Sequence, residues 1–260
     1  NILENNFLKK EEVREILNQK ISEIFQDHFD NWLDRNVPQY LDKYYDSREK
    51  IFSEFDINSV NKFIPSYSMD ERTRSFIKVQ DGCDYSCSFC TIPLARGKSR
   101  SGKISEVLKS INNISQSNIK EIVLSGINVG DFGVNNNESL IELLESIELI
   151  NGIERCRISS IEPNLLSDEI INFIAHSKKI LPHFHIPLQS GSNNILKRMQ
   201  RRYDAQLYAS KIKKIRNLIP NCCIGVDVIV GFPSESEEDF LFTYNFLNKL
   251  DITYLHVFSY

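Results

Sequence analysis

The chain has 260 residues, of which 41% are hydrophobic and 25% charged, and its formal net charge is −4. This usage is that of a globular protein with a sizeable core. The negative charge argues against a surface that holds nucleic acid by charge alone, and six cysteines, three of them clustered, do not resemble a secreted disulfide framework. We find no signal-peptide pattern and no apolar run long enough to span a bilayer, so we expect a reducing cytoplasm and no membrane association.

The N-terminal region predicts helices. Residues 8–25 have apolar residues at helical spacing between lysines, glutamates and asparagines, and the pattern extends to residue 45 with an interruption near Pro38. We therefore predict a helical segment with its connector over residues 1–62 and a second domain over residues 63–260. The segment is either a partner-binding or substrate-capping arm or, as we favour, a helical layer over one side of the second domain.

From residue 75, short apolar runs alternate with helical segments, which is the pattern of βα units in a parallel sheet. The predicted strands are 75–80, 121–125, 155–159, 184–188, 223–230 and 254–259. The predicted helices are 104–117, 140–150, 167–176, 205–218 and 237–250, with Ser167 as a cap. These units predict the α/β class, as a partial (βα)6 TIM-like barrel with its chemistry at the carboxyl ends of the strands.

A cluster of three thiols follows the first predicted strand. Cys83, Cys87 and Cys90 form a C-x3-C-x2-C pattern, and thiolates hold zinc or iron–sulfur clusters. A structural zinc site needs a fourth ligand, usually in a second C-x2-C pair, and the sequence has no such pair. The pattern therefore favours a 4Fe–4S cluster with one open iron. Three unrelated core cysteines are the alternative, although Gly, Asp and Ser nearby make a poor core pattern.

This pattern, with Phe89 just before the last cysteine, resembles the signature of the radical S-adenosylmethionine (SAM) enzymes. The resemblance implies that the open iron binds the amino and carboxylate groups of SAM. It also implies that one electron from the cluster cleaves SAM into methionine and a 5′-deoxyadenosyl radical. An electron donor such as flavodoxin or ferredoxin would supply that electron.

Six sequence segments indicate a particular family within the radical SAM enzymes. They are RTRSFIKVQDGC (72–83), TIPLARG (91–97), EIVLSGIN (121–128), SSIEP (159–163), PLQSGS (187–192) and DVIVGFP (227–233). Together they resemble the radical SAM methylthiotransferases, most closely the branch that acts on threonylcarbamoyladenosine at position 37 of tRNA. The resemblance implies methylthiolation of adenine C2 in the tRNA anticodon loop. Sister branches act on isopentenyladenosine in tRNA or on an aspartate of a ribosomal protein.

The resemblance also implies which residues bind the cofactors. The cluster ligands would be the three clustered cysteines. The implied SAM-binding residues are Phe89 at the adenine, Ser125, Gly126 and Asn128 in the turn at the amino group, Ser160 and Gln189 as polar contacts, Arg201 at the carboxylate and Asp227 at the ribose hydroxyls. The alternatives are a rim core residue for Phe89 and a solvated charge for Arg201. We interpret His183 and His185 as core or rim residues rather than acids or bases.

The sequence departs from the family in two respects. The family has a second, auxiliary 4Fe–4S cluster with three cysteines from an N-terminal domain, and residues 1–82 contain no cysteine. The other thiols, Cys156, Cys222 and Cys223, look like core positions in strands. The family's C-terminal RNA-binding β-barrel is also absent, so we expect a fragment that holds the radical-generating core. A radical SAM enzyme without an auxiliary cluster and a non-catalytic zinc or RNA-binding module are the rival hypotheses.

Overall fold

The computed structural model describes Ile57, Val60 and residues 62–68 and 73–260. These residues belong to one compact unit, Ile57–Tyr260, with a mixed α/β fold. The N-terminal helices predicted over residues 8–45 lie outside the described residues.

Parallel strands dominate the unit. In the part of the chain that the structure describes, the strands are β1 (Ser66–Tyr67), β2 (Arg74–Lys78), β3 (Gln80–Asp81), β4 (Arg100–Ser101), β5 (Glu121–Ser125), β6 (Arg155–Ile158), β7 (His183–His185), β8 (Cys223–Val230) and β9 (Tyr254–Ser259). Strands β2, β5 and β6 pair in parallel, with β1 antiparallel at the β2 edge. Strands β7, β8 and β9 form a second parallel sheet, and β3 pairs with β4. Isolated parallel bridges join Cys156 to Ile180 and Ser160 to His185, which places β7 beside β6.

Helices connect the parallel strands. They are α1 (Ile92–Arg96), α2 (Ile104–Ser115), α3 (Leu140–Glu148), α4 (Asp168–His176), α5 (Asn193–Arg198), α6 (Ala205–Leu218) and α7 (Glu237–Lys249). The cap predicted at Ser167 is confirmed, because its side chain accepts a hydrogen bond from the Ile170 N–H. Helix α2 buries Val107, Ile111 and Ile114, one stripe at helical spacing, against the sheet. None of the described helices has the length and apolar composition needed to cross a membrane.

The predicted elements form with two main differences in the strands, and the strand predicted over 155–159 ends one residue early at Ile158. The five predicted helices appear within two residues of their expected ends. The strand predicted over 184–188 is regular only at His183–His185, because Pro187 has no N–H for the ladder and Gln189 has a φ of +66°. The strand predicted over 75–80 ends at Lys78, and Gln80 pairs with β4 instead. Both differences occur where the chain enters the pocket described below.

The core lies between the parallel sheets and the helices that cover them. Strand β5 is buried at Ile122, Val123 and Leu124, as expected when a parallel strand is covered on both faces. Helix α3 contributes Leu143 and Leu144, both fully buried. The stability of the site therefore depends on helix packing against this sheet.

Leu144 in the middle of helix α3 and Leu149 just after its end provide a matched test of this packing. We expect Leu144→Ala to lower the free energy of unfolding by about 2–5 kcal/mol, because its side chain is fully buried. Leu149→Ala should change it by less than about 0.5 kcal/mol, because that side chain is 82% exposed. Urea unfolding followed by circular dichroism measures both; equal costs would show that α3 does not pack as described.

Candidate iron–sulfur and cofactor site

One pocket at the carboxyl ends of the parallel strands collects most of the predicted site residues. Its walls come from the cysteine loop after β3, the loops after β5, β6 and β7, the segment after α5, and strand β8. The lining residues are Cys83, Tyr85, Cys87, Phe89, Cys90, Ile92, Ile127, Asn128, Ser160, Glu162, Pro187, Gln189, Arg201 and Asp227. The structure thus brings together all three predicted cluster ligands and six of the eight predicted SAM-binding residues.

The start of the cysteine loop is held by Asp81 and Gly82. Gly82 has a φ of +69°, and a Cβ there would lie 2.0 Å from the Lys98 carbonyl oxygen, so only glycine fits. The Asp81 carboxylate accepts from the Gly82 N–H at 2.9 Å and pairs with Arg100 at 3.1 Å and Arg96 at 3.3 Å. Burial opposes ionisation of Asp81, but these partners outweigh it and hold its pKa below the usual value. The loop therefore starts from a fixed, charged anchor.

The fully buried side chain of Gln80 joins the cysteine loop to the loop after β5. Its Nε2 donates to the Gly82 carbonyl at 2.7 Å and to Ser99 Oγ at 3.0 Å. Its Oε1 accepts from the backbone N–H of Asn128 at 2.8 Å. The carboxamide uses both its donor and its acceptor capacity, so the two loops are positioned as one unit.

The segment 198–202 holds the other side of the cysteine loop. Ser88 Oγ donates to the Arg198 carbonyl oxygen at 2.9 Å. The Arg202 guanidinium lies 3.9 Å from the centroid of the Tyr85 ring, within cation–π distance. The loop is therefore fixed between β3 and the end of α5, which limits where its thiols can point.

The three thiols suit a cluster better than a single ion. The ligand atoms of a single ion lie close together. Among the described residues, one group of three His, Cys, Asp or Glu residues has its ligand atoms within 4.8 Å of one another, and it contains none of these cysteines. A 4Fe–4S cluster instead places each thiolate on a separate iron. Burial raises the pKa of Cys83 to about 11, and burial also raises the pKa of Cys87 although Arg201 opposes it. Bound iron would be needed to keep these sulfurs as thiolates.

Arg201 is buried at the floor of the pocket, with a side chain only 3% exposed. Its Nη1 donates to Cys87 Sγ at 3.0 Å, its Nε donates to the Tyr203 hydroxyl at 3.1 Å, and its Nη2 pairs with Glu162. Burial alone would lower the pKa of Arg201, but Tyr203 and Glu162 outweigh it and raise that pKa, so the guanidinium stays charged. The alternative that Arg201 is a solvated charge is therefore wrong.

Asn128 presents an unsatisfied acceptor to the pocket. Its Nδ2 donates to Asp131 Oδ2 at 2.9 Å, whereas its buried Oδ1 has no hydrogen-bond partner within the described part of the chain. A buried acceptor without a partner costs about 1–3 kcal/mol. An ammonium group, such as the amino group of SAM, would satisfy it. The donor set of the pocket thus fits SAM as well as the cluster.

A chain of polar side chains runs from the loop after β6 across the neighbouring strands β7, β8 and β9. Ser160 Oγ lies 3.0 Å from His185 Nδ1, and His185 Nε2 lies 2.9 Å from Asp227 Oδ1. His256 Nδ1 lies 3.0 Å from the same Oδ1. Burial opposes ionisation of Asp227, but its two histidine partners outweigh it and lower its pKa. His185 and His183 are half-buried in β7, and His185 is in addition the centre of this chain of contacts.

The surroundings of Phe89 agree with both roles considered for it from the sequence, a rim core residue and a contact to the adenine of SAM. Its half-buried ring packs against a small cluster of Ile195, Met199 and Phe232, as a rim core residue would. The ring also lines the pocket, and the Arg201 guanidinium lies 5.8 Å from its centroid. One face is therefore structural while another faces the space in which the adenine of SAM is expected.

The backbone of Gln189 is strained at the pocket wall. Its φ of +66° lies in the left-handed region, which costs a non-glycine residue about 1–3 kcal/mol. Its N–H donates to the Asp227 carbonyl at 2.8 Å, and its own carbonyl accepts from the Ile229 N–H at 2.9 Å. Pairing with β8 thus holds Gln189 in the conformation that brings it to the pocket.

Ser125 and Gly126 are not among the lining residues of the pocket. Ser125 Oγ donates to the Ile77 carbonyl at 3.1 Å, and a Cβ on Gly126 would lie 3.0 Å from the side chain of Gln80. Both residues shape the loop that carries Asn128, and their direct contact with SAM stays a prediction.

Three residues of the site were missed as site residues from the sequence, namely Gln80, Tyr85 and Glu162. Gln80 and Glu162 stand inside two of the six segments that carry the resemblance, and Tyr85 stands between the first two clustered cysteines. Their partners are distant in sequence: the Tyr85 hydroxyl accepts from Asn164 Nδ2 at 2.8 Å, 79 residues away. Only their position in these segments and in the cysteine loop could have signalled them.

Two of the remaining thiols, Cys156 and Cys222, are core residues as predicted, whereas Cys223 is not fully buried. Cys156 is fully buried in β6, and burial raises the pKa of its thiol. Cys222 is 4% exposed, and Cys223 is half-buried at the start of β8.

The family model of the radical SAM superfamily matches residues 77–247. The chain is 40% identical over 227 residues to the threonylcarbamoyladenosine tRNA methylthiotransferase MtaB of Bacillus subtilis, covering 85% of this chain and 50% of that protein. The protein of the same name from Aquifex aeolicus is 40% identical, covering 85% and 54%. A tRNA-2-methylthio-N(6)-dimethylallyladenosine synthase of Alkaliphilus oremlandii is 37% identical, covering 72% and 40%. The chain therefore spans about half the length of these relatives.

Solved structures share the fold. The radical SAM methyltransferase TsrM of Kitasatospora setae, determined with cobalamin and a 4Fe–4S cluster, superposes with a TM-score of 0.60 at 16% identity, covering 71% of this chain and 36% of that one. Coproporphyrinogen III oxidase HemN of Escherichia coli has a TM-score of 0.50 at 16% identity, covering 71% and 43%. The resemblance to the methylthiotransferases is thus confirmed, as are the cluster and SAM as cofactors of the family. The cysteine loop, the pocket around it and the matching family model lead to one conclusion: the chain belongs to the radical SAM superfamily.

Proposed function

We propose that this chain is the radical-generating core of an enzyme that methylthiolates C2 of N6-threonylcarbamoyladenosine at position 37 of tRNA. The observation that carries the proposal is a pocket in which three cysteines meet the loops after the parallel strands β5, β6 and β7 and the side chain of Asp227 on β8. It occurs in a chain 40% identical to relatives named for that reaction.

Cys83, Cys87 and Cys90 would hold the cluster and leave its fourth iron to SAM. When bound, the cluster supplies the electron that cleaves SAM reductively. The chain's own residues orient the cofactor: Asn128 Oδ1 accepts from the SAM amino group, and Asp227 accepts from the ribose hydroxyls. Ser160 and Gln189 supply further polar contacts, and Phe89 packs on the adenine.

In this proposal the main role of Arg201 is its hydrogen bond to the cluster ligand Cys87. Its guanidinium already pairs with Glu162 and donates to Cys87 Sγ, so a SAM carboxylate would have to share it with Glu162. A hydrogen bond to a ligating sulfur favours the thiolate and tunes the potential of a cluster. The predicted pairing of Arg201 with the SAM carboxylate therefore needs the Glu162 pair to open or to widen.

The finer architecture is part of the proposal. Six parallel strands in the order β2, β5, β6, β7, β8 and β9, joined by the bridges between β6 and β7, support a partial (βα)6 barrel over residues 63–260. The helical segment over residues 1–62 would precede it. An auxiliary 4Fe–4S cluster with ligands outside the cysteines of this chain, a flavodoxin or ferredoxin as electron donor, and a cytoplasmic location complete the proposal.

A sister branch is the second candidate. The relatives named for dimethylallyladenosine are also similar, at 37% identity for one of them, and the pocket does not distinguish the two modified adenines. The third hypothesis, a zinc module, finds less support because the three cysteines are not grouped as ligands of a single ion.

Two buried cysteines test the cluster. We expect the anaerobically reconstituted protein to hold about four irons per chain and to form 5′-deoxyadenosine from SAM. Cys87→Ala should lose both, because it removes a ligand, while Cys222→Ala should keep both, because Cys222 lies in the core away from the pocket. Iron, sulfide and chromatographic assays measure the outcome. Normal SAM cleavage by Cys87→Ala would refute the assignment.

The RNA substrate is tested with two anticodon stem-loops. One carries threonylcarbamoyladenosine at position 37 and the other carries isopentenyladenosine there. We expect the first to stimulate 5′-deoxyadenosine formation more than the second, because the chain is more similar to the relatives named for it. Stimulation by the isopentenyl stem-loop alone would assign the chain to the sister branch, and no stimulation by either would contradict an RNA substrate.

Neighbouring arginines test the buried ion pair. We expect Arg201→Gln to lower the free energy of unfolding by about 3 kcal/mol, because it leaves Glu162 buried without its partner. Arg202→Gln, on an exposed side chain stacked on Tyr85, should cost less than about 1 kcal/mol. Chemical unfolding of both variants without the cluster measures the difference. Equal costs would argue against the buried pair.

A further inference from the structure

We propose that His185, Asp227 and His256 bind one divalent transition-metal ion, such as Zn²⁺, separate from the cluster. Their ligand atoms all lie within 4.8 Å of one another. None of the three residues belongs to the cysteine loop, and Asp227 would use Oδ1 for the metal and keep Oδ2 for the ribose hydroxyls in the function proposed above.

Three adjacent parallel strands bring the ligands together. Asp227 on β8 and His256 on β9 are direct partners in the register of that strand pair. His185 ends β7, where it pairs with Gly225 of β8, two residues before the aspartate. Side chains two residues apart on a strand point to the same face, so one face of the sheet presents all three groups.

The distances fit coordination. Asp227 Oδ1 lies 2.9 Å from His185 Nε2 and 3.0 Å from His256 Nδ1. A tetrahedral ion with bonds of about 2.1 Å holds its ligand atoms about 3.4 Å apart, so the side chains would move apart by only a few tenths of an ångström to bind it. In each neutral imidazole the proton would move to the other ring nitrogen, so that the nitrogen facing Asp227 has a free lone pair for the cation. His256, with a side chain 53% exposed, has room to adjust.

The chemistry of the donor set points to a first-row divalent ion. Two imidazoles and one carboxylate suit zinc, iron, cobalt or manganese and leave coordination positions open. Ser160 Oγ lies 3.0 Å from His185 Nδ1, where an acceptor orients a metal-binding imidazole. Because Ser160 and Asp227 also line the pocket, a substrate oxygen there could take an open position.

Zinc binding to the cluster-loaded protein tests the proposal. The protein would be incubated anaerobically with Zn²⁺, desalted, and analysed for zinc and iron in the same sample. We expect about one zinc per chain in the wild type, and affinity weakened about tenfold or more by His256→Ala and by Ser160→Ala. His176→Ala, at an exposed histidine on α4, is the matched control and should keep the zinc.

The outcomes distinguish zinc bound by the histidine–aspartate group from zinc bound by the cluster cysteines. Zinc on the cysteine thiols would persist in His256→Ala, and equal zinc in that variant and the wild type would overturn the proposal. Absence of zinc from the wild type would also overturn it, whatever the iron content. Thermal unfolding gives a second readout: Zn²⁺ should raise the Tm of the wild type and of His176→Ala but not that of His256→Ala.

Discussion

The site depends on the buried carboxamide of Gln80. One side chain donates to the start of the cysteine loop and accepts from the loop that carries Asn128. Each group is buried, so a broken hydrogen bond would leave a polar atom without a partner in a low-dielectric interior. The relative position of the expected cluster and of the expected amino group of SAM is therefore set by a residue that contacts neither.

Charge compensation lets the pocket hold a cationic side chain beside its thiols. Arg201 is almost fully buried, and Glu162 and the Tyr203 hydroxyl surround it. A guanidinium in this position favours negative charge on Cys87 without bringing an unpaired charge into the interior. The chain can thus carry a net charge of −4 while the Cys87 thiol faces a positive group.

Two kinds of metal chemistry would share one pocket if both proposals hold. The cysteine loop forms one wall, and Asp227 with Ser160 forms another, next to the two histidines. Soft sulfur donors and harder nitrogen and oxygen donors select different ions, so the cysteines would bind the iron–sulfur cluster and the histidine–aspartate group would bind the divalent ion. The chain spans about half the length of the curated relatives it matches.

The sequence by itself determined the alternation of strands and helices and the three-cysteine loop, because hydrophobic periodicity and a C-x3-C-x2-C spacing are local patterns. It also placed Asn128, Ser160 and Gln189 after predicted strands, which parallel strands bring to the same edge, whereas Asp227, expected at a strand end, lies inside β8. Only the tertiary structure decided the contacts between them. Arg201 and Glu162 are 39 residues apart, and His256 and Asp227 are 29 apart. Such pairs depend on strand register and on packing across the pocket, which no local spacing specifies.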